Sequence, residues 1–186
     1  GNGLATAIDV GATFGATGVA EKVTTVWAWD TTNAKWKFYS PILSPTQLLD
    51  YAASKGYGVL SSIEPRQGYW VNASVPVALP QRTAAPVTLA AADLIPGWNM
   101  VAQGIEATPA NFNRALSGAA PNTTPANFIS LWAWDNMNGA WFFYAPSLDV
   151  QGGTVLKDYI DSKHYMDFTT LNKTLNLDSG FWVNKQ

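Results

Sequence analysis

The chain has 186 residues, 47% hydrophobic and 13% charged, with a formal net charge of -2, a length that holds one ordinary domain or two small ones. Its eleven Lys plus Arg form no cluster, which argues against nucleic acid or an anionic membrane surface as the main partner. No apolar run is long enough for membrane insertion, and zero cysteines exclude disulfides, thiolate metal sites and cysteine nucleophiles. In chain order, "VWAWD" (26–30) and "WKFYSP" (36–41) predict a hairpin around residues 31–34. "SPTQLLDYAASKG" (44–56) predicts a helix: Ser44 and Gln47 can form a capping box, Pro45 suits the first turn and Gly56 the stop. Strands follow near "GVLSSI" (58–63) and "YWVNA" (69–73), and "TAAPVTLAAAD" (83–93) reads as a linker or an extra edge strand. "GWNMVAQ" (97–103) predicts a short strand, and "TPANFNRAL" (108–116) a short helix with Thr108 as N-cap and Pro109 at its first position. A second hairpin, "LWAWDNMNGAWFFYAP" (131–146), turns at Asn138-Gly139, residues that accept positive φ.

The second hairpin repeats the first, and the match extends along the chain. "DYAASKGY" (50–57) falls on "DYIDSKHY" (158–165), and "GYWVN" (68–72) on "GFWVN" (180–184). Two homologous units follow, 1–82 and 94–186, joined by 83–93. Each has the order β-α-β-β-α-β-β, which predicts α+β units, mostly antiparallel, with two short helices on one face of the sheet. "ATAIDVGATF" (5–14) aligns with "ATPANFNRAL", so unit one begins after the point where unit two has its "GWNMV" strand. Truncation of a longer parent is the simpler explanation. Otherwise the slot is filled by 75–80, by 85–91 or by a neighbouring molecule's strand.

Strand side chains alternate between faces. A four-residue loop at 31–34 puts Trp27, Trp29, Trp36 and Phe38 on one face, and Val26, Ala28, Lys37 and Tyr39 on the other. The second hairpin puts Trp132, Trp134, Trp141 and Phe143 on the first face, and Leu131, Ala133, Phe142 and Tyr144 on the second. Lysine is rarely buried, so the Lys37 face is expected outside and the Trp face inside. Trp70 and Trp182 also recur as a pair, and with the unpaired Trp98 they complete the expected aromatic core. Leu131, Phe142 and Tyr144, with Val26 and Tyr39, then form the candidate contact surface.

Chemistry is sparse. His164, the single histidine, falls where unit one has Gly56 and reads as a helix-end residue. No zinc-ligand cluster, nucleophile elbow or phosphate loop appears. Asp30 and Asp135 read as turn caps. "DNMNG" (135–139) is oxygen-rich enough to raise calcium, yet lacks the later bidentate glutamate of an EF-hand loop. Asp50 and Asp158 recur on helices as a solvated face. Neither an enzyme nor a cofactor is expected.

The string "GWN-V … VWAWD … WKFYSP … helix … GYWVN" resembles a repeat found, often in tandem, in secreted and surface-associated proteins of Gram-negative bacteria. It covers nearly the whole chain and implies an extracellular or cell-surface location and a modular, non-catalytic character. It carries over no functional residue. The expectation is a tandem module working through contacts with itself or another surface protein, including self-assembly by strand addition. The alternative is a carbohydrate-binding module that stacks polysaccharide on its aromatics.

Overall fold

The computed structural model describes residues 1–177 and 179–186. The chain opens with β1 (Ile8–Asp9) running into α1 (Val10–Phe14), whose first turn is capped by the Asp9 carboxylate accepting from the Ala12 N–H. A long strand β2 (Val23–Asp30) turns through residues 31–34 into β3 (Lys35–Tyr39). Ala34 takes the left-handed conformation that closes this turn. Helix α2 (Pro45–Lys55) starts at the Ser44–Gln47 capping box and ends at Gly56 in the left-handed region. The short strands β4 (Gly58–Val59) and β5 (Ser62–Ile63) and then β6 (Trp70–Ala73) follow.

After a 3₁₀ turn at Ala91–Asp93 come β7 (Gly97–Val101) and α3 (Pro109–Ser117), the latter capped by Thr108. The hairpin of β8 (Ser130–Asp135) and β9 (Ala140–Tyr144) leads to α4 (Pro146–Asp149) and α5 (Val155–Lys163). His164 caps α5 in the left-handed conformation, the role Gly56 plays for α2. β10 (Met166–Asp167) and β11 (Phe181–Lys185) complete the chain. The fold is α+β, with more strand than helix.

Two sheets dominate: a four-stranded one ordered β4-β3-β2-β6 and a five-stranded one ordered β10-β9-β8-β11-β7. Pairing is antiparallel except for the two short outer strands, β4 on β3 and β10 on β9. Both hairpins share one register, with Trp29 opposite Trp36 and Trp27 opposite Phe38 in the first, Trp134 opposite Trp141 and Trp132 opposite Phe143 in the second.

The faces are the reverse of the sequence-based expectation. Val26 and Ala28 are fully buried beside Ile8, Val10, Phe14, Leu60 and Ile63. Leu131, Phe142 and Tyr144 are buried beside Phe112, Leu116, Phe128 and Phe168, so the candidate contact surface is core. Tyr39 is partly buried against the first cluster. Lys37 misled because, at the centre of β3, its stem passes over Gly58 of the outer strand β4 while its ammonium reaches Asp30 at 3.3 Å and stays partly in solvent. Nor are helices confined to one face. α3 supplies Phe112 and Leu116 to the buried face of its sheet, while α5 supplies Ile160 to the Trp face, covering Phe143. α2 does the same for Phe38, whose ring lies 5.1 Å from that of Tyr51.

Of the residues expected as aromatic core, Phe38 and Phe143 are buried under those helices. Trp27, Trp29, Trp36, Trp132, Trp141 and Trp182 are half-buried, while Trp70, Trp98 and Trp134 are exposed. The tryptophans project beyond the helices and meet across the junction of the two sheets. Trp182 stands at the centre, its ring 5.9 Å from Trp29, 5.7 Å from Trp36, 6.3 Å from Trp70 and 6.0 Å from Trp98, all steeply inclined. Edge-to-face pairs of this kind contribute roughly 0.5–1.5 kcal/mol each beyond their buried area.

Backbone pairing continues the junction. The Gly68 N–H donates to the Met100 carbonyl at 3.0 Å and the Ala102 N–H to the Arg66 carbonyl at 2.8 Å. A Cβ at position 68 would sit 2.8 Å from the Val101 carbonyl oxygen, so only glycine allows this approach. Residues 85–87 are no edge strand on β6. They lie against residues 3–5, through Ala5 N–H to Ala85 O at 2.8 Å and Val87 N–H to Gly3 O at 2.9 Å, and against Gly104.

Candidate functional site

The site grows from one difference between the two sheets. β11 is paired on both sides: with β8 through Trp182–Trp132, Val183–Leu131 and Asn184–Ser130, and with β7 along its whole length, from Phe181–Val101 to Lys185–Gly97. β6 is paired with β2, through Trp70–Trp27, Val71–Val26 and Asn72–Thr25. On its far side no strand is paired among the described residues.

Backbone parity shows which groups that leaves open. The Asn184 carbonyl accepts the Ile129 N–H at 2.7 Å, toward β8, so the flanking Val183 groups point at β7. In β6 the Asn72 carbonyl accepts the Thr24 hydroxyl at 2.9 Å, toward β2. The N–H and C=O of Val71 therefore face outward.

A groove of about 1380 Å³ runs along this open edge. Trp70, Val71 and Asn72 line it together with Leu79–Arg82 and with Trp134 and Trp141 of the other sheet. Gly1 and Gly180 also line it. Arg82 is fixed rather than free, since its guanidinium donates to the Asn2 side-chain oxygen at 2.8 Å and to the Thr6 hydroxyl at 3.0 Å.

Beside the groove lies a second, smaller hollow of about 490 Å³, lined entirely by Trp29, Trp70, Trp98, Trp132, Trp141, Trp182 and Tyr165. Trp70 is 38% and Trp98 44% exposed, so rings of both are open to solvent at its rim. The Trp29 indole N–H is engaged by the Trp98 carbonyl at 2.9 Å, and the Trp132 indole by the Ser130 hydroxyl at 3.0 Å.

The ionisable residues build turns. Asp30 accepts from the Asn33 backbone and side chain at 3.1 and 3.0 Å, and Asp135 from Met137, Asn138 and the Asn138 side chain at 2.8, 3.2 and 3.0 Å. The Asn33 and Asn138 side-chain amides, respectively, do most to hold these two carboxylates below their ordinary pKa. The Asp135 oxygens thus serve the loop's own donors, which accounts for the "DNMNG" pattern without a cation. Among the described residues no three His, Cys, Asp or Glu come together as a metal cluster, and no helix is long and apolar enough to cross a membrane.

Trp70 and Trp98, expected in the core, are therefore at the site, whereas the expected contact residues lie behind it. Val71 and Asn72, which line the groove, were not among the residues that the sequence singled out. No family model matches the chain, and neither curated proteins nor solved structures yield a match.

Proposed function

We propose that the chain is a tandem pair of one α+β unit, 1–82 and 94–186 with 83–93 between them. It would work outside the bacterial cell without catalysis, through contacts with other protein segments. The repeated hairpin register, the two parallel outer strands and the placement of helices on both sheets support the duplication. The single observation that carries the function is that β6 has no second neighbour among the described residues and borders a groove of about 1380 Å³. Unpaired sheet edges are templates for strand addition, and natural proteins normally cover or blunt them. β6 carries no charge of its own to repel a partner strand, its sequence being Trp70-Val71-Asn72-Ala73. A surface or matrix component assembling in this way is the reading that fits best. Light scattering over a wide concentration range, with electron microscopy of the same samples, tests it. Concentration-dependent oligomers or filaments are expected, and a monomer at every concentration counts against self-assembly.

The aromatic hollow favours a second reading. Exposed indole faces at its rim could stack on sugar rings, so the polysaccharide-binding alternative moves to Trp70 and Trp98. Tryptophan fluorescence titrated with a panel of polysaccharides checks it. A saturable change abolished by Trp98→Ala supports it, and an unmoved spectrum removes it.

A further inference from the structure

The aromatic hollow has an interior whose chemistry differs from that of its rim. Its walls are six indoles and one phenol, drawn from both sheets. Most belong to the five-stranded sheet: Trp98 from β7, Trp132 from β8, Trp141 from β9 and Trp182 from β11. Tyr165 joins them from the residues between α5 and β10, its ring 4.9 Å from that of Trp132. Among the described residues, no lysine, arginine, histidine, carboxylate or amide side chain lines the space.

The rings stand nearly perpendicular to one another. Trp98 meets Trp182 at an interplanar angle of 90°, Trp70 meets Trp182 at 87°, Trp132 meets Trp141 at 88° and Trp132 meets Tyr165 at 80°. In such a pair the positive edge of one ring rests on the negative face of the next, and the corner beside the pair is bounded by one face of each. Negative faces therefore border the space in more than one direction, which a flat stacking platform does not offer. The indole N–H groups of Trp29 and Trp132 are spent on the Trp98 carbonyl and the Ser130 hydroxyl. A sugar can stack on the rim and keep its hydroxyls in water. Inside, those hydroxyls would lose their water with no carboxylate or amide to replace it.

We infer that the hollow binds a quaternary ammonium group carried by a small soluble molecule of the choline type. Such a cation has methyl groups where an ordinary amine has N–H, so it needs no acceptor, and ring faces attract its charge. A primary ammonium would leave its donors unpaired in the same space. No cation among the described residues of the walls repels the ligand or competes for the rings. At about 490 Å³ the hollow falls within the roughly 300–1,000 Å³ of small-molecule sites, enough for the head group and a short tail. The site does not rest on strand addition at β6, and it stands or falls without it.

The test titrates the full chain with choline chloride and follows indole fluorescence against matched sodium chloride. A saturable change in the millimolar range or tighter is expected. The uncharged analogue, with a tert-butyl group in place of the trimethylammonium, should bind at least about tenfold more weakly, because only the charge distinguishes the two. Trp98→Leu and Tyr165→Leu should each weaken choline about fivefold. Tyr57→Leu should leave it unchanged, since Tyr57 packs 5.1 Å from Trp27 as Tyr165 packs on Trp132 but lies outside the hollow. Equal affinity for choline and its uncharged analogue overturns the inference, and that comparison needs no variant. Absence of a saturable response to choline overturns it as well; a response to polysaccharide alone would then leave the sugar reading standing by itself. Capture of the chain by phosphatidylcholine vesicles without any response to free choline would overturn the soluble ligand in favour of a lipid head group.

Discussion

The two sheets of this protein carry the same hairpin, the same hairpin register and nearly the same "G-aromatic-WVN" strand, yet one ends in a covered edge and the other in an open one. On β11, β7 satisfies the outward backbone groups, and Asn99 stitches its start into place. On β6 the same positions face a groove. The difference shows that strand sequence does not decide whether an edge is closed. That depends on whether a neighbouring segment is supplied, and here residues 85–87 pair with residues 3–5 instead.

The largest expected effects test whether both sheets turn the same face inward. Phe142→Ala should destabilise by about 3–5 kcal/mol, because it empties a fully packed site beside Phe168. Trp134→Ala should cost roughly 1 kcal/mol or less, since its ring is exposed and its main ring neighbour is Trp141 at 5.0 Å. Denaturant melts of the two variants compare them directly. A Trp134→Ala loss as large as that of Phe142→Ala would break the assignment of faces.

Next in size is the anchoring of β7. Asn99→Ala removes the bonds to Ile95, Gly97 and Val183 from a buried position and should cost about 2–3 kcal/mol. Its cost should appear as freer exchange of the β11 amides, because β7 is what shields them. Amide exchange of the wild-type chain sharpens the comparison further. The Val183 amide should be strongly protected and the Val71 amide weakly, despite their matching sequence positions. Equal protection would mean that the β6 edge is covered after all.

Much of this architecture was legible in the residues. The helix spanning Pro45–Lys55 follows from Ser44, Gln47, Pro45 and Gly56, each with a local physical role. The four-residue hairpin loop fixed which tryptophans share a face. Which face is inside was not legible, because period-two alternation separates two faces without ranking them when both are apolar. Lys37 tipped the choice the wrong way, since its long stem lies over a glycine of the outer strand and carries the charge to Asp30 at the sheet's surface. The candidate site was less legible, because the groove beside β6 and the aromatic hollow bring residues of both sheets together at a tertiary junction that no local pattern encodes.

The smallest expected effect separates the two tyrosines that end the hairpins. Burial raises the pKa of both Tyr39 and Tyr144, with nearby Asp9 adding to the first. Tyr144 is raised much further, because it is more deeply buried and its hydroxyl donates to Asp149 at 2.7 Å, a bond that the phenolate would lose. In the unfolded chain each phenol ionises near its ordinary value of about 10. Between that pH and the higher folded value the native state holds the proton more tightly, so stability falls as pH rises. The contribution is fully present below pH 10 and is lost progressively above it. Tyr144→Phe should therefore flatten the alkaline limb of a stability–pH curve, and Tyr39→Phe should flatten it less. Equal flattening would mean that the two sheets enclose their hairpin ends to the same depth, erasing the asymmetry that Asp149 gives the second.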